Sequence, residues 1–225
     1  MPNSPKKGAF PYSFGWLPDL PDSRDYTSKH PKVAPLLPKT PIKTPKTADL
    51  RPFCPPIFDQ GNIGSCTANA AAALLSYHNK RTYGKETPLS RLFIYKGTRD
   101  LMQSKGDSGA FIRTTMGSLA LFGAPPEKYW SYGEDIDRAP PAFCYSFAQN
   151  YQAINYFRLD EKTVGIPSTN STVRGRNVAN LASVGVAKLA KDKSEVLNEI
   201  KSTLAQSLPV MFGFQVFESI RDAND

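Results

Sequence analysis

Thirteen of the chain's twenty prolines fall before residue 57, and this distribution limits the possible folds more than any other feature. Proline fixes φ and has no backbone N–H to give, so a stretch this rich in it cannot be one helix or a central strand. The first fifty residues therefore read as an extended, partly polyproline arm. It carries a hydrophobic anchor at Phe14, Trp16 and Leu17 and a polar turn at Pro21-Asp22-Ser23-Arg24-Asp25. Two readings of the arm stand side by side: a flexible leader with a few hydrophobic contacts, or a strap that packs on the body and restricts its cleft. The composition shifts at Asp49, which makes residues 1–48 the leader and begins the folded body.

The body opens helical. CTANAAAALLSYHNKR, from Cys66 to about Arg81, is alanine-rich and ends in cations that suit the helix dipole. Leu89 to Gln103 and Ile112 to Phe122 are the next helices, the latter stopped by Gly123 and Pro125-Pro126. The pattern then changes. YQAINYFRL, Tyr151 to Leu159, is rich in β-formers and predicts a strand. Residues 160–190 are small and polar and read as a long loop or insertion. Ser194 caps an amphipathic helix to about Ser207, with Val196, Ile200, Leu204 and Leu208 at helical spacing. Pro209 ends it, and VMFGFQVF, Val210 to Phe217, predicts a buried strand. Helices followed by strands imply an α+β protein in two lobes: helical over 49–150, β-rich over 151–225.

The formal charge is +8, but five lysines (Lys29, Lys32, Lys39, Lys43, Lys46) sit in the arm between Asp25 and Asp49 with no acid among them. Interleaved with prolines, they suit a solvated arm rather than a groove-reading helix, so nucleic acid is not the expected partner. No apolar run approaches the roughly 20 residues of a membrane span. The N-terminus has early lysines but no hydrophobic h-region, so no secretory signal is expected. An intracellular location follows, in a virion or host cytoplasm if the chain is viral. The three cysteines, Cys54, Cys66 and Cys144, are too few for a disulfide framework and fit a reducing compartment. No Cys or His pair has zinc spacing, and neither metal nor organic cofactor is expected.

The chemistry concentrates at Asp59-Gln60-Gly61-Asn62-Ile63-Gly64-Ser65-Cys66-Thr67-Ala68-Asn69-Ala70. Two glycines bracket a loop that runs into the alanine-rich helix, with a cysteine in its first turn. Free amide donors and the positive end of the dipole stabilise a thiolate there. A thiolate is the form that attacks carbonyl carbon. The glycines let the backbone approach a substrate closely. Gln60, six residues before Cys66, supplies an amide donor for an oxyanion hole alongside the Cys66 N–H. Cys54 and Cys144 lack such a setting and read as small buried hydrophobes.

Gln60-Gly61-x-x-Gly64-Ser65-Cys66 resembles the active-site loop of papain-like cysteine peptidases. The resemblance implies Cys66 as nucleophile and Gln60 as oxyanion donor. It also implies a substrate groove edged by Gly64 and Ser65 on one side, and on the other by Asp107-Ser108-Gly109, which is similar to the family's glycine-containing wall. Two departures stand out. The family's usual cysteine three residues before the nucleophile is Ile63 here, so one typical disulfide is missing, and the aromatic residue usual after the nucleophile is Thr67. Both are similar to a divergent microbial and large-DNA-virus branch in which CTANA follows the loop, preceded by a GWLPDLPD-like leader (Gly15 to Asp22) and a DLRP segment (Asp49 to Pro52). The implied fold is papain-like, a helical lobe plus an incomplete β-barrel-like lobe.

A papain-like thiolate needs an imidazolium partner, and the chain has two histidines. His78 lies twelve residues beyond Cys66 on one helix, about 18 Å along its axis, and His30 belongs to the basic arm. The family's histidine and asparagine follow the strand at Val210 to Phe217 after a further loop, beyond Asp225. Three explanations stay open: a fragment of a longer peptidase, a short form completed by self-association or a second chain, or a pseudoenzyme that keeps the cleft for binding. The expectation is thiol-dependent peptide-bond hydrolysis of peptide or protein substrates through an acyl-enzyme. The alternative is a non-catalytic, peptidase-like binding or structural protein.

Overall fold

The computed structural model describes residues 14–20, 22, 24–38, 44–133, 135–160 and 193–216. The elements are β1 (Trp16–Leu17), α1 (Cys66–Tyr83), α2 (Arg91–Leu101), β2 (Ala110–Phe111), α3 (Ile112–Leu121), α4 (Ala142–Ala148) and α5 (Lys193–Ala205), with short 3-10 turns between them. The chain divides into two compact units. One takes in the stretches 14–19, 51–154 and 211–216; the other takes in 20–50 and 155–210.

The first unit is built on α1, α2 and α3. Alanines make α1's inner face small: Ala68, Ala71, Ala72 and Leu75 are all buried, so α2 can approach closely. From α2 come Leu92, Phe93, Ile94 and Tyr95, and from α3 Met116 and Leu119, all buried. Ser90, rather than Leu89, opens α2. Its hydroxyl accepts the Phe93 N–H at 3.1 Å and donates to the Trp130 carbonyl at 2.6 Å, satisfying a first-turn donor and tying the helix to the following loop. A second apolar cluster gathers Leu92, Phe93, Trp130, Cys144 and Ala148, with Phe122 and Tyr145 against it. Cys144 is buried as expected. Cys54 is not: it is exposed and outside any disulfide, because it follows the Arg51–Phe53 turn and leads into Pro55-Pro56 on the surface.

In the second unit Arg158 is the hub. Its guanidinium pairs with Asp25 and Asp160, both at 2.8 Å, and its N–H donates to the Tyr26 carbonyl at 2.8 Å. Tyr26 stacks on His30 with ring centroids 4.0 Å apart. Helix α5 begins one residue before the expected Ser194 and ends at Ala205, followed by a turn in which Ser207 takes φ 59°.

Two expected strands do not form. Residues 152–159 run irregularly after the Gln149–Tyr151 turn, with only an isolated bridge between Thr27 and Arg158. Their backbone partners explain why: the Tyr151 carbonyl takes the Ala124 N–H and the Ala153 N–H goes to the Leu119 carbonyl, so helix ends replace a neighbouring strand. Residues 210–216 also form no strand. Gly213 lies flat on the Trp16 indole, so close that a Cβ there would sit 2.1 Å from a ring carbon. Phe217 and the segment from 161 to 192 lie outside the described residues. Among the described residues the single sheet is the parallel pair β1–β2, and no helix is long and apolar enough to cross a membrane.

Candidate active site

Cys66 is the first residue of α1, part-exposed and free. The loop that delivers it is held partly by its own hydrogen bonds. The Asp59 carboxylate accepts the Gly61 N–H at 2.8 Å. The Ile63 carbonyl accepts both the Ser65 N–H at 2.7 Å and the Gln60 side-chain amide at 3.1 Å. The Gln60 amide is thus anchored within the loop by one of its two protons.

A chain of polar groups braces this loop from behind. Asn69 Nδ2 donates to the Ser65 hydroxyl at 2.9 Å and to its carbonyl at 3.0 Å. Ser65 and Tyr132 hydroxyls meet at 2.5 Å, and Tyr132 donates to the Gln60 carbonyl at 3.0 Å. Each hydroxyl has one proton to give, so the order runs Asn69 to Ser65 to Tyr132 to Gln60. Arg91 completes the brace. It donates to Asn69 Oδ1 at 3.1 Å and to the Asp59 carbonyl at 2.9 Å, pairs with Glu127 at 3.2 Å, and lies 4.1 Å over the Tyr132 ring. Ser65 is fully buried, so its hydroxyl serves the loop from inside.

The opposite side is the turn after α2. Arg99, fully buried, donates to the Gly106 carbonyl and Asp137 carboxylate, each at 2.6 Å, and to the Ile136 carbonyl. The Arg99 guanidinium, and next the Gly106 N–H, hold the Asp137 carboxyl below its ordinary pKa. Asp107 accepts the Gly64 N–H with both oxygens, at 2.9 and 2.8 Å, and the Tyr95 hydroxyl at 2.6 Å. The same Tyr95 oxygen accepts the Gly109 N–H at 3.0 Å. Burial first, and then the bond to Asp107, push the Tyr95 phenol far above its usual range. Ser108 is exposed, and its hydroxyl bonds to the Gly109 carbonyl at 3.1 Å.

Between these two sides lies the leader. The Gly15 carbonyl accepts the Ala110 N–H at 2.7 Å, and β1 continues from there parallel to β2, Trp16 opposite Ala110 and Leu17 opposite Phe111. A Cβ at Gly15 would lie 1.6 Å from the Gly64 oxygen, and one at Gly109 would lie 2.4 Å from the Gly15 oxygen. Only a backbone fits there. Asp19 anchors the far end, accepting the Arg113 N–H at 3.2 Å.

The structure therefore brings Gln60, Gly64, Ser65 and Cys66 together on one loop and sets Gly109 across from Gly64 with the leader between. His78 lies further along α1, and its pKa falls below the ordinary 6.5, by burial first and then by the charge of Arg81. Among the described residues no group of three or more His, Cys, Asp or Glu side chains could hold a metal ion. Sequence reasoning missed Tyr95, Arg91 and Tyr132, and named Asp107 only as part of the Asp107-Ser108-Gly109 wall, not as a partner of Gly64. Their pairing with the loop spans large separations.

No protein-family model matches the sequence. An uncharacterized peptidase C1-like protein of Acanthamoeba polyphaga mimivirus is 32% identical over 231 residues, covering 92% of this chain and 62% of that protein. The chain thus spans less than two thirds of that relative's length. In structure it is similar to xylellain, a cysteine protease from Xylella fastidiosa, with 34% identity, a TM-score of 0.54, and coverage of 65% of this chain and 58% of that one. The chain has a papain-like fold and is similar in sequence to cysteine peptidases. The α1 position of Cys66 and the Gln60-to-Cys66 loop are where that likeness bears on chemistry.

Proposed function

We propose that this papain-like chain carries the nucleophile half of a thiol-dependent peptidase acting on peptide or protein substrates. The observation that carries the reading is Cys66: a part-exposed, unbridged thiol at the first residue of an 18-residue helix. The first turn of the helix also carries amide donors that have no partner within the helix. In the reaction the sulfur attacks the scissile carbonyl carbon. The Gln60 side-chain amide and the Cys66 N–H receive the negative charge that develops on oxygen. The C–N bond breaks, the amine leaves with a proton from the general base, and a thioester holds the acyl group until water releases the acid. Gly64 and Ser65 form one edge of the groove and Ser108 and Gly109 the other, gripping the substrate by its backbone. His78 is about 18 Å along the helix from the nucleophile, so it does not act as the base.

The leader's place between Gly64 and Gly109 supports a second element of the proposal: Phe14 to Leu17 lie where the substrate backbone would lie, and must yield before a substrate is bound.

The test is the pH dependence of Cys66 alkylation by iodoacetamide, mapped by mass. Fast labelling that persists near pH 5–6, well below the ordinary thiol value of about 8.5, supports the peptidase. Labelling that rises only near pH 8 refutes an activated nucleophile and favours a peptidase-like binding protein.

A further inference from the structure

The two sides of the groove come from segments 43 residues apart, and none of the three cysteines forms a disulfide, so no disulfide joins them. One carboxylate does. Asp107 holds the Gly64 N–H with both oxygens and the Tyr95 hydroxyl with one, while Tyr95 holds the Gly109 N–H. The glycine on each side of the groove is thus fixed through its amide to the same two side chains. Tyr95 projects from the core helix α2, its ring 4.5 Å beneath the Arg99 guanidinium, and Arg99 pins the same turn at Gly106. The assembly therefore has a rigid foot. A carboxylate accepting several short bonds from N–H and O–H groups makes a stronger tie than neutral pairs would.

We infer that Asp107 and Tyr95 are positioning residues that set the width of the groove, holding Gly64 and Gly109 apart by the thickness of one extended backbone. The inference rests on the reading of this groove as the substrate cleft. The leader measures the width directly: the Gly15 backbone fits between the two glycines and its carbonyl takes the Ala110 N–H at 2.7 Å. Because both glycine amides are committed to the tie, the groove grips a chain through carbonyls on the Gly64 side and through the next amide, that of Ala110, on the other. Asp107 and Tyr95 act through the glycines.

The experiment compares Asp107→Asn, Asp107→Ala and Tyr95→Phe with the parent in the full chain, by amide hydrogen exchange in NMR and by Cys66 alkylation. Losing a tie of this kind is expected to speed exchange at the Gly64 and Ala110 amides by about tenfold or more. Asp107→Ala should exceed Asp107→Asn, because asparagine keeps one acceptor oxygen. The amides of Ala71, Ala72 and Ile94 in the core should keep their protection, and the pH profile of Cys66 alkylation should not move. Unchanged exchange at Gly64 and Ala110 overturns the inference. So does a uniform loss of protection through α1 and α2, which makes Asp107 a general stability residue. An ordinary alkylation profile in the parent, with the exchange result as expected, overturns the peptidase reading and the clamp's substrate role together.

Discussion

Replacing Gly15 by alanine should expel the leader from the groove. The new Cβ would lie 1.6 Å from the Gly64 oxygen and 2.4 Å from its carbonyl carbon, and both obstacles are backbone, so no side chain can swing aside. Relief requires the two segments to part by well over an ångström, which breaks the 2.7 Å bond from the Ala110 N–H to the Gly15 carbonyl and the β1–β2 register. Overpacking of this kind costs about 1–3 kcal/mol, and the lost hydrogen bond about 1 kcal/mol. Docking then weakens by about 2–4 kcal/mol, a rise of roughly 30- to 900-fold in the undocked population at 1.36 kcal/mol per tenfold. The assay is the rate of Cys66 labelling by a peptidyl electrophile, which needs the groove, divided by the rate with iodoacetamide, which does not. The ratio should rise at least about tenfold in Gly15→Ala. Gly133→Ala, where an added Cβ meets nothing within 4 Å, should leave it unchanged. A Gly15→Ala chain with the parent's ratio and a still-protected Ala110 amide would refute the reasoning, because the steric argument leaves no way for the leader to stay.

Three other outcomes follow from the packing and the charges. Leu119→Ala empties a fully buried site between helices and should cost about 2–5 kcal/mol in urea unfolding. Ser90→Ala removes the α2 cap and leaves the Trp130 carbonyl without its 2.6 Å donor; a loss of about 1–2 kcal/mol is expected, read by the same titration. His78 has a lowered pKa in the folded chain, from burial first and the Arg81 charge second. The unfolded chain therefore takes up its proton more readily. The folded state keeps its full stability above pH 6.5 and loses some as pH falls below that value. His78→Phe should flatten the fall in urea midpoint between pH 7.5 and 5; an equally steep fall in the variant would assign the effect to other groups.

The local features of the site could be read from the chain, and the distant ones could not. The Gln60-to-Cys66 loop and α1 are short-range structures, specified by glycines, an alanine run and terminal cations, and they fold as those residues dictate. The end of α3 before Gly123 is legible for the same reason. Tyr151 to Leu159 has strand-forming residues but, among the described residues, no strand beside it, and β propensity is realised only against a neighbour. The same holds for residues 210–216, where Gly213 packs flat on Trp16. Cys54 was misread because cysteine's general tendency to be buried was allowed to outweigh the two prolines that follow it. The Asp107 tie and the Tyr132 brace join the loop to residues 43 and 67 positions away. Nothing in the spacing of an aspartate or a tyrosine announces a partner at that separation.

The three cysteines sit in three different environments: Cys54 exposed, Cys66 intermediate and Cys144 buried. They therefore divide a single thiol-labelling experiment into three clocks. Cys54 reports the reagent's speed at an exposed surface site, Cys66 the reactivity of the groove, and Cys144, whose pKa burial raises, starts to count only when the fold opens. Any treatment that accelerates Cys66 while Cys54 and Cys144 hold their pace has changed the site alone. One that sets Cys144 running has unfolded the protein, whatever its effect on Cys66. The molecule thus carries its own reference and its own alarm, with no dye or tag attached.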